Sequence, residues 1–87
     1  MKKKHIEAEL IVGRQYIVTL DHIKDYDKYG IYVTPNMRAR NGGVVTVIAT
    51  LEYIEDVRCN IKEDYFIWSG DMLTIILLKN TVGGKLI

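Results

Sequence analysis

The chain has 87 residues, enough for one domain with a thin core that buries roughly 60–65% of the unfolded surface. Its 12 Lys and Arg against 11 Asp and Glu give a net charge of +1, which argues against a DNA-coating protein and against an acidic nucleic-acid mimic. Cys59 is the only cysteine, so an intrachain disulfide and a cysteine metal cluster are both excluded, and a reducing compartment is expected.

Met1-Lys2-Lys3-Lys4 carries the charge of a signal peptide, but Glu7 and Glu9 interrupt any apolar stretch behind it. The longest apolar run, Ile75-Ile76-Leu77-Leu78, is far short of the ~18 residues that span a bilayer. A cytoplasmic protein without membrane contact is expected.

Period-two patterning dominates the chain. Ile6, Ala8 and Leu10 alternate with polar residues and predict a half-buried strand, although Glu, Ala and Leu also favour helix. Gly13-Arg14 punctuates, and residues 15–20 predict a second strand with Tyr16, Val18 and Leu20 on one face. Residues 21–34 break the pattern. They hold Asp21, Asp25 and Asp27 among Tyr26, Tyr29 and Tyr32, and read as a long irregular loop with an ordered apolar side.

Pro35 pushes Thr34 toward extended geometry, residues 36–40 suit one helical turn, and Asn41-Gly42-Gly43 stops it. Residues 44–50 are β-branched nearly throughout and predict a strand, which 51–56 either extend or turn away from. Residues 57–62 alternate with Val57, Cys59 and Ile61 inward. Glu63-Asp64 predicts a tight turn and residues 65–68 the returning strand. Ser69-Gly70-Asp71-Met72 predicts a short 3-10 turn capped by Ser69, and residues 73–79 a last strand, apolar on both faces. Five or six short strands, one long first loop and one 3-10 turn predict a mostly β fold, a small barrel occupying residues 1–87 as a single domain.

Several of these features form an ordered series: Val12-Gly13, Tyr29-Gly30, Met37 before Gly43 and Val44-Val45-Thr46-Val47, then Cys59-Asn60-Ile61-Lys62-Glu63-Asp64, Tyr65-Phe66-Ile67-Trp68 and Asp71-Met72-Leu73. The series resembles a family of small SH3-like barrel proteins encoded by phages and prophages of Gram-positive bacteria. The resemblance spans about residues 10–73, and the Glu-Asp…Trp…Met-Leu tail is its distinctive part. It implies an SH3-like barrel and a phage origin, but no activity, because the family has no assigned biochemical function. The chain departs from the pattern by an extra alternating strand before Leu10 and by a strand and tail after Leu73. These added strands are expected to pair with each other and to extend the sheet onto a second copy as a homo-oligomer.

Candidate site residues follow from the loop and the aromatic strand. Tyr26, Tyr29 and Tyr32, with Asp25 and Asp27, occupy the place where SH3 domains grip Pro-rich basic peptides, and mark a protein-binding face by analogy of fold. Trp68 is either an anchor for a partner or a core residue packed on Met72 that seals one barrel end. Asp25-x-Asp27-x-Tyr29-Gly30 resembles the opening of a calcium loop, but Asn36 stands at the twelfth position where a bidentate Glu is needed. Arg38 and Arg40, with Lys2, Lys3, Lys4 and Lys85, are the candidate phosphate contacts of a nucleic-acid-binding alternative.

Catalysis finds no constellation. Cys59 reads as core, Ser69 has no evident base, Glu63-Asp64 are adjacent rather than opposed, and Gly42-Gly43 lacks the Lys-Ser/Thr of a phosphate loop. The expectation is a non-enzymatic accessory protein without cofactor or metal. It would bind a host or phage protein, for instance as an inhibitor of a host or defence protein; the alternatives are a nucleic-acid-associated small barrel and a structural homo-oligomer.

Overall fold

The structure, a computed structural model, describes residues 7–51 and 57–76. It is mostly β. Strands β1 (Gln15–Val18), β2 (Val44–Thr50), β3 (Arg58–Ile61), β4 (Ile67–Ser69) and β5 (Leu73–Ile75) form one antiparallel sheet in the order β4-β3-β2-β1-β5. A four-residue helix, α1 (Pro35–Arg38), precedes β2, and a 3-10 turn (Gly70–Met72) joins β4 to β5.

Alternation builds the core. Tyr16 and Val18 from β1, Val45 and Val47 from β2, Cys59 and Ile61 from β3, Trp68 from β4 and Leu73 from β5 are buried on one face. Leu20, Ile23, Val33, Met37 and Met72 close over them from the loop, the helix and the 3-10 turn. The register of β2 shifts between Val47 and Ala49. Such a bulge bends a strand, and β2 meets β1 through Val44, Val45 and Thr46 but β3 through Val47, Ala49 and Thr50.

Turn chemistry fixes the connections. Thr34 Oγ1 accepts from Met37 N at 3.1 Å and Pro35 occupies the first helical turn, where its missing N–H costs nothing. Gly42, at φ +88°, turns the chain back so that its N–H reaches Val18 O at 2.8 Å. Ser69 caps the 3-10 turn by accepting from Asp71 N at 3.1 Å.

Three expectations change. Residues 7–10 form no strand: Ala8 makes a single backbone bond, N to Gly70 O at 3.1 Å, and Ile6 lies outside the described residues. The last strand pairs with β1, Tyr16 facing Ile75 and Val18 facing Leu73, rather than with the N-terminal segment. Its described part ends at Ile75, and residues 77–79 lie outside the described residues, as do 52–56 of the expected extension or turn. The returning strand begins at Ile67 instead of Tyr65, for a reason found in the turn before it. Among the described residues no helix is long and apolar enough to cross a membrane.

Candidate functional site: the tyrosine loop

Residues 21–34 leave β1, run across the 3-10 turn and return to α1. An isolated bridge between Tyr26 and Tyr32 narrows the loop into a short irregular hairpin. Val33 N donates to Asp25 O at 2.8 Å and Asp27 N to Ile31 O at 2.9 Å, and Gly30, at φ +87°, turns the tip.

Asp27 holds that tip from inside. It is buried, and its Oδ1 accepts from Tyr29 N at 2.9 Å and from Ile31 N at 2.8 Å. Its Oδ2 accepts from Ser69 Oγ at 2.5 Å. A short carboxylate that captures amides further along its own chain is a local brace, and the Ser69 bond ties that brace to the 3-10 turn. Asp71 adds a second tie, Oδ2 accepting from Lys28 N at 3.0 Å, while its carbonyl and Oδ1 meet His22 Nε2 at 2.7 and 3.3 Å. Arg58 Nη2 donates to Tyr29 O at 2.9 Å.

The braced loop sorts the expected binding residues. Tyr26 and Tyr32 face outward, 63% and 50% exposed, with rings edge to face at 5.5 Å between centroids and 61° between planes. Asp25 is exposed in the position before Tyr26. Tyr29 is half-buried and donates its hydroxyl to Glu7 Oε2. Burial and the Glu7 carboxylate push this phenol up to about 12. Asp27 is an internal brace, and Trp68 is fully buried, its indole Nε1 donating to Asp64 Oδ1 at 2.9 Å. The structure thus pairs Tyr26 with Tyr32 on the outside of the loop, leaves Asp25 exposed next to Tyr26 in the chain, and commits Tyr29, Asp27 and Trp68 to contacts within the fold.

Arg38 and Arg40 are both engaged within the fold. Arg38 Nη2 donates to Ile23 O at 2.6 Å and to Lys24 O, so it satisfies carbonyls at the base of the tyrosine loop. Arg40 Nε donates to Asp64 Oδ2 at 2.7 Å and its Nη2 to Glu63 O at 2.8 Å. Cys59 is buried, and burial pushes its thiol up to about 12. Ser69 is fully buried with its hydroxyl committed to Asp27.

Two residues that hold the loop, Glu7 and Arg58, escaped the reading of the sequence, as did the role of Asp64 as the acceptor for Trp68. One signal existed for Asp64: a buried tryptophan needs an acceptor for its N–H, and a carboxylate four residues earlier across a tight turn is within reach. Nothing in the spacing marks Glu7 or Arg58, whose partners come from distant segments. Comparison with protein-family models, curated proteins and solved structures finds no match to this chain.

Proposed function

We propose that this chain is a non-enzymatic accessory protein of phage or prophage origin. In this reading it is an SH3-like barrel that works in the host cytoplasm, binding a host or phage protein through the outer face of the tyrosine loop. The observation that carries the binding part is the Tyr26–Tyr32 pair, two large rings exposed on a loop whose backbone is fixed from inside by Asp27.

Aromatic side chains spread over a surface need no explanation, but two packed edge to face on a braced hairpin form an anchor that loses little entropy on binding. Asp25, exposed in the position before Tyr26, favours a basic segment of the partner. The strand order, with β5 beside β1, and the 3-10 turn before β5 support an SH3-like topology. The phage origin rests on the resemblance of the Glu-Asp…Trp…Met-Leu tail, and inhibition of a host or defence protein is a role that suits so small a chain.

The test is capture from host lysate, with and without nuclease, by the intact chain and by a Tyr26→Ala/Tyr32→Ala double variant, read by mass spectrometry. A protein held by the first and lost from the second, with unfolding free energy changed by less than ~1 kcal/mol, supports the reading. Equal capture by both removes the loop from the interface. Capture abolished by nuclease alone puts a nucleic acid in the partner's place.

A further inference from the structure

We propose that the N-terminal segment, residues 7–10, is a latch that fixes the tip of the tyrosine loop, with Glu7 as the positioning residue that couples the two. The proposal deepens the binding role given to Tyr26 and Tyr32 and rests on that reading for its functional meaning. The latch itself is a property of the free protein.

The segment and the loop share one platform. Ser69 and Asp71 flank Gly70, and both anchor the loop, through Asp27 Oδ2 and through Lys28 N. Gly70 itself receives the segment: its carbonyl accepts from Ala8 N at 3.1 Å, and a Cβ at Gly70 would stand 2.5 Å from Ala8 O and 2.9 Å from Glu7 Cγ. Only glycine allows this approach. Further along, Tyr16 OH donates to Glu9 O at 2.6 Å and accepts from Ile11 N at 2.8 Å, so a core tyrosine fixes the other end of the segment.

Seated there, Glu7 spends both carboxylate oxygens on consecutive residues of the loop tip. Oε1 accepts from Lys28 Nζ at 3.0 Å and Oε2 from the Tyr29 hydroxyl. Lys28 Nζ also lies 5.5 Å from the centre of the Tyr29 ring, which closes the cluster. The other ties on the tip come from Asp27 within the loop, from Asp71 in the 3-10 turn and from Arg58 on β3. Glu7 differs in lying outside both loop and sheet, on a segment joined to the 3-10 turn by one backbone bond. What joins Glu7 to the loop is one partly exposed ion pair and one phenol–carboxylate hydrogen bond, which can open while the sheet stays folded.

The test compares the full chain with Glu7→Ala, Glu7→Gln and Gly70→Ala, without any partner. Amide exchange is followed at Lys28 and Tyr29, with Val47 and Lys62 reporting on the sheet, and the Tyr29 phenol is titrated by NMR. Glu7→Ala is expected to speed exchange at Lys28 and Tyr29 by about 2- to 10-fold, the equivalent of one lost hydrogen bond, with Val47 and Lys62 unchanged. Glu7→Gln keeps an acceptor for the phenol but not the charge. It should leave exchange close to that of the parent chain and still lower the phenol titration, which the Glu7, Asp71 and Asp27 carboxylates all raise. Gly70→Ala, which crowds the segment at Ala8 O and changes no side chain that bonds the loop, should speed exchange at Lys28 and Tyr29 at least as much as Glu7→Ala.

The proposal is overturned if Glu7→Ala leaves tip exchange and the phenol titration as they were. It is equally overturned if that variant speeds exchange at the tip and throughout the sheet alike. Should Gly70→Ala fail to fold, the two Glu7 variants still decide. Loss of the partner site would show only in the lysate capture, so the latch and the binding role fail separately.

Discussion

Asp64 and Trp68 are joined across the β3–β4 turn by a 2.9 Å hydrogen bond from the indole Nε1 to Oδ1. The same carboxylate accepts from Phe66 N at 3.0 Å and from Arg40 Nε at 2.7 Å. One side chain thus shapes the turn, satisfies the only tryptophan and ties the segment after α1 to the sheet. The neighbouring Glu63 accepts from Thr46 N at 3.0 Å, so the Glu-Asp…Trp pattern is explained by folding alone.

Removing that carboxylate should therefore be costly. Asp64→Ala strands the buried indole N–H along with two further donors, and we expect a loss of about 2–4 kcal/mol in urea unfolding. Asp64→Asn retains an acceptor oxygen and should lose about half as much, chiefly at Arg40. An Ala variant within about 0.5 kcal/mol of the parent chain would mean that water replaces the carboxylate at all three donors.

The same turn shows where the sequence was legible. Alternation placed Tyr16, Val18, Cys59 and Ile61 inward, because period two over a half-buried strand has one physical reading. Ser69 and the 3-10 turn were legible because a serine before Gly-Asp has an N–H to cap. The start of β4 was not, since Asp64 Oδ1 captures Phe66 N and holds the chain in the turn two residues longer, leaving Tyr65 fully exposed. Nor was the N-terminal segment, where among the described residues Ala8 is buried with its N–H on Gly70 O and Leu10 packs on the core, without a ladder. The tyrosine loop was legible as a loop, but which ring faces outward depends on Asp27 turning inward to a serine 42 residues away.

Cys59 should be inert in the folded protein. It is buried on β3 opposite Trp68 of β4, and burial raises its thiol from 9.0 to about 12. A thiol held protonated in the folded state but ionised in the unfolded state stabilises the fold fully below pH 9. That contribution is lost as pH rises from 9 towards 12. The unfolding midpoint should fall over this window, and part of the fall should vanish in Cys59→Ala, which is itself less stable at neutral pH. Labelling by a thiol reagent in native buffer at the rate of a small free thiol would contradict this placement.

Arg38 should act on stability before it acts on any ligand. Its guanidinium serves Ile23 O and Lys24 O, carbonyls at the base of the tyrosine loop. Arg38→Ala leaves those acceptors to water and should cost about 1–3 kcal/mol, with Arg38→Lys recovering only part because an ammonium lacks the planar fork. Oligonucleotide binding, if measurable, should not change in proportion. A weakening by Arg38→Ala and Arg40→Ala at unchanged stability, steeper at low salt, would favour the nucleic-acid alternative.

The final prediction concerns Asp27 and Ser69, the pair that fixes the loop to the 3-10 turn. Ser69 Oγ donates to Asp27 Oδ2 and accepts from Asp71 N, so both of its roles are used in a site closed to solvent. Asp27→Ala frees the amides of Tyr29 and Ile31 and leaves the serine proton without its acceptor, at about 2–4 kcal/mol. Asp27→Asn can keep both amides on its oxygen, but its NH2 then faces a hydroxyl that still needs an acceptor, so a smaller loss of about 1–2 kcal/mol is expected. Ser69→Ala removes the same bond from the other side. If the two residues act through each other, the double variant should fall short of the sum of the single losses by about 1 kcal/mol or more. Strict additivity would mean that Asp27 braces the loop through its amides alone. Capture of a partner gives a further readout: Asp27→Ala changes no outward-facing atom of Tyr26 or Tyr32. It should nonetheless weaken capture through the loosened loop, whereas an unaltered affinity would show that the rings do not need their brace.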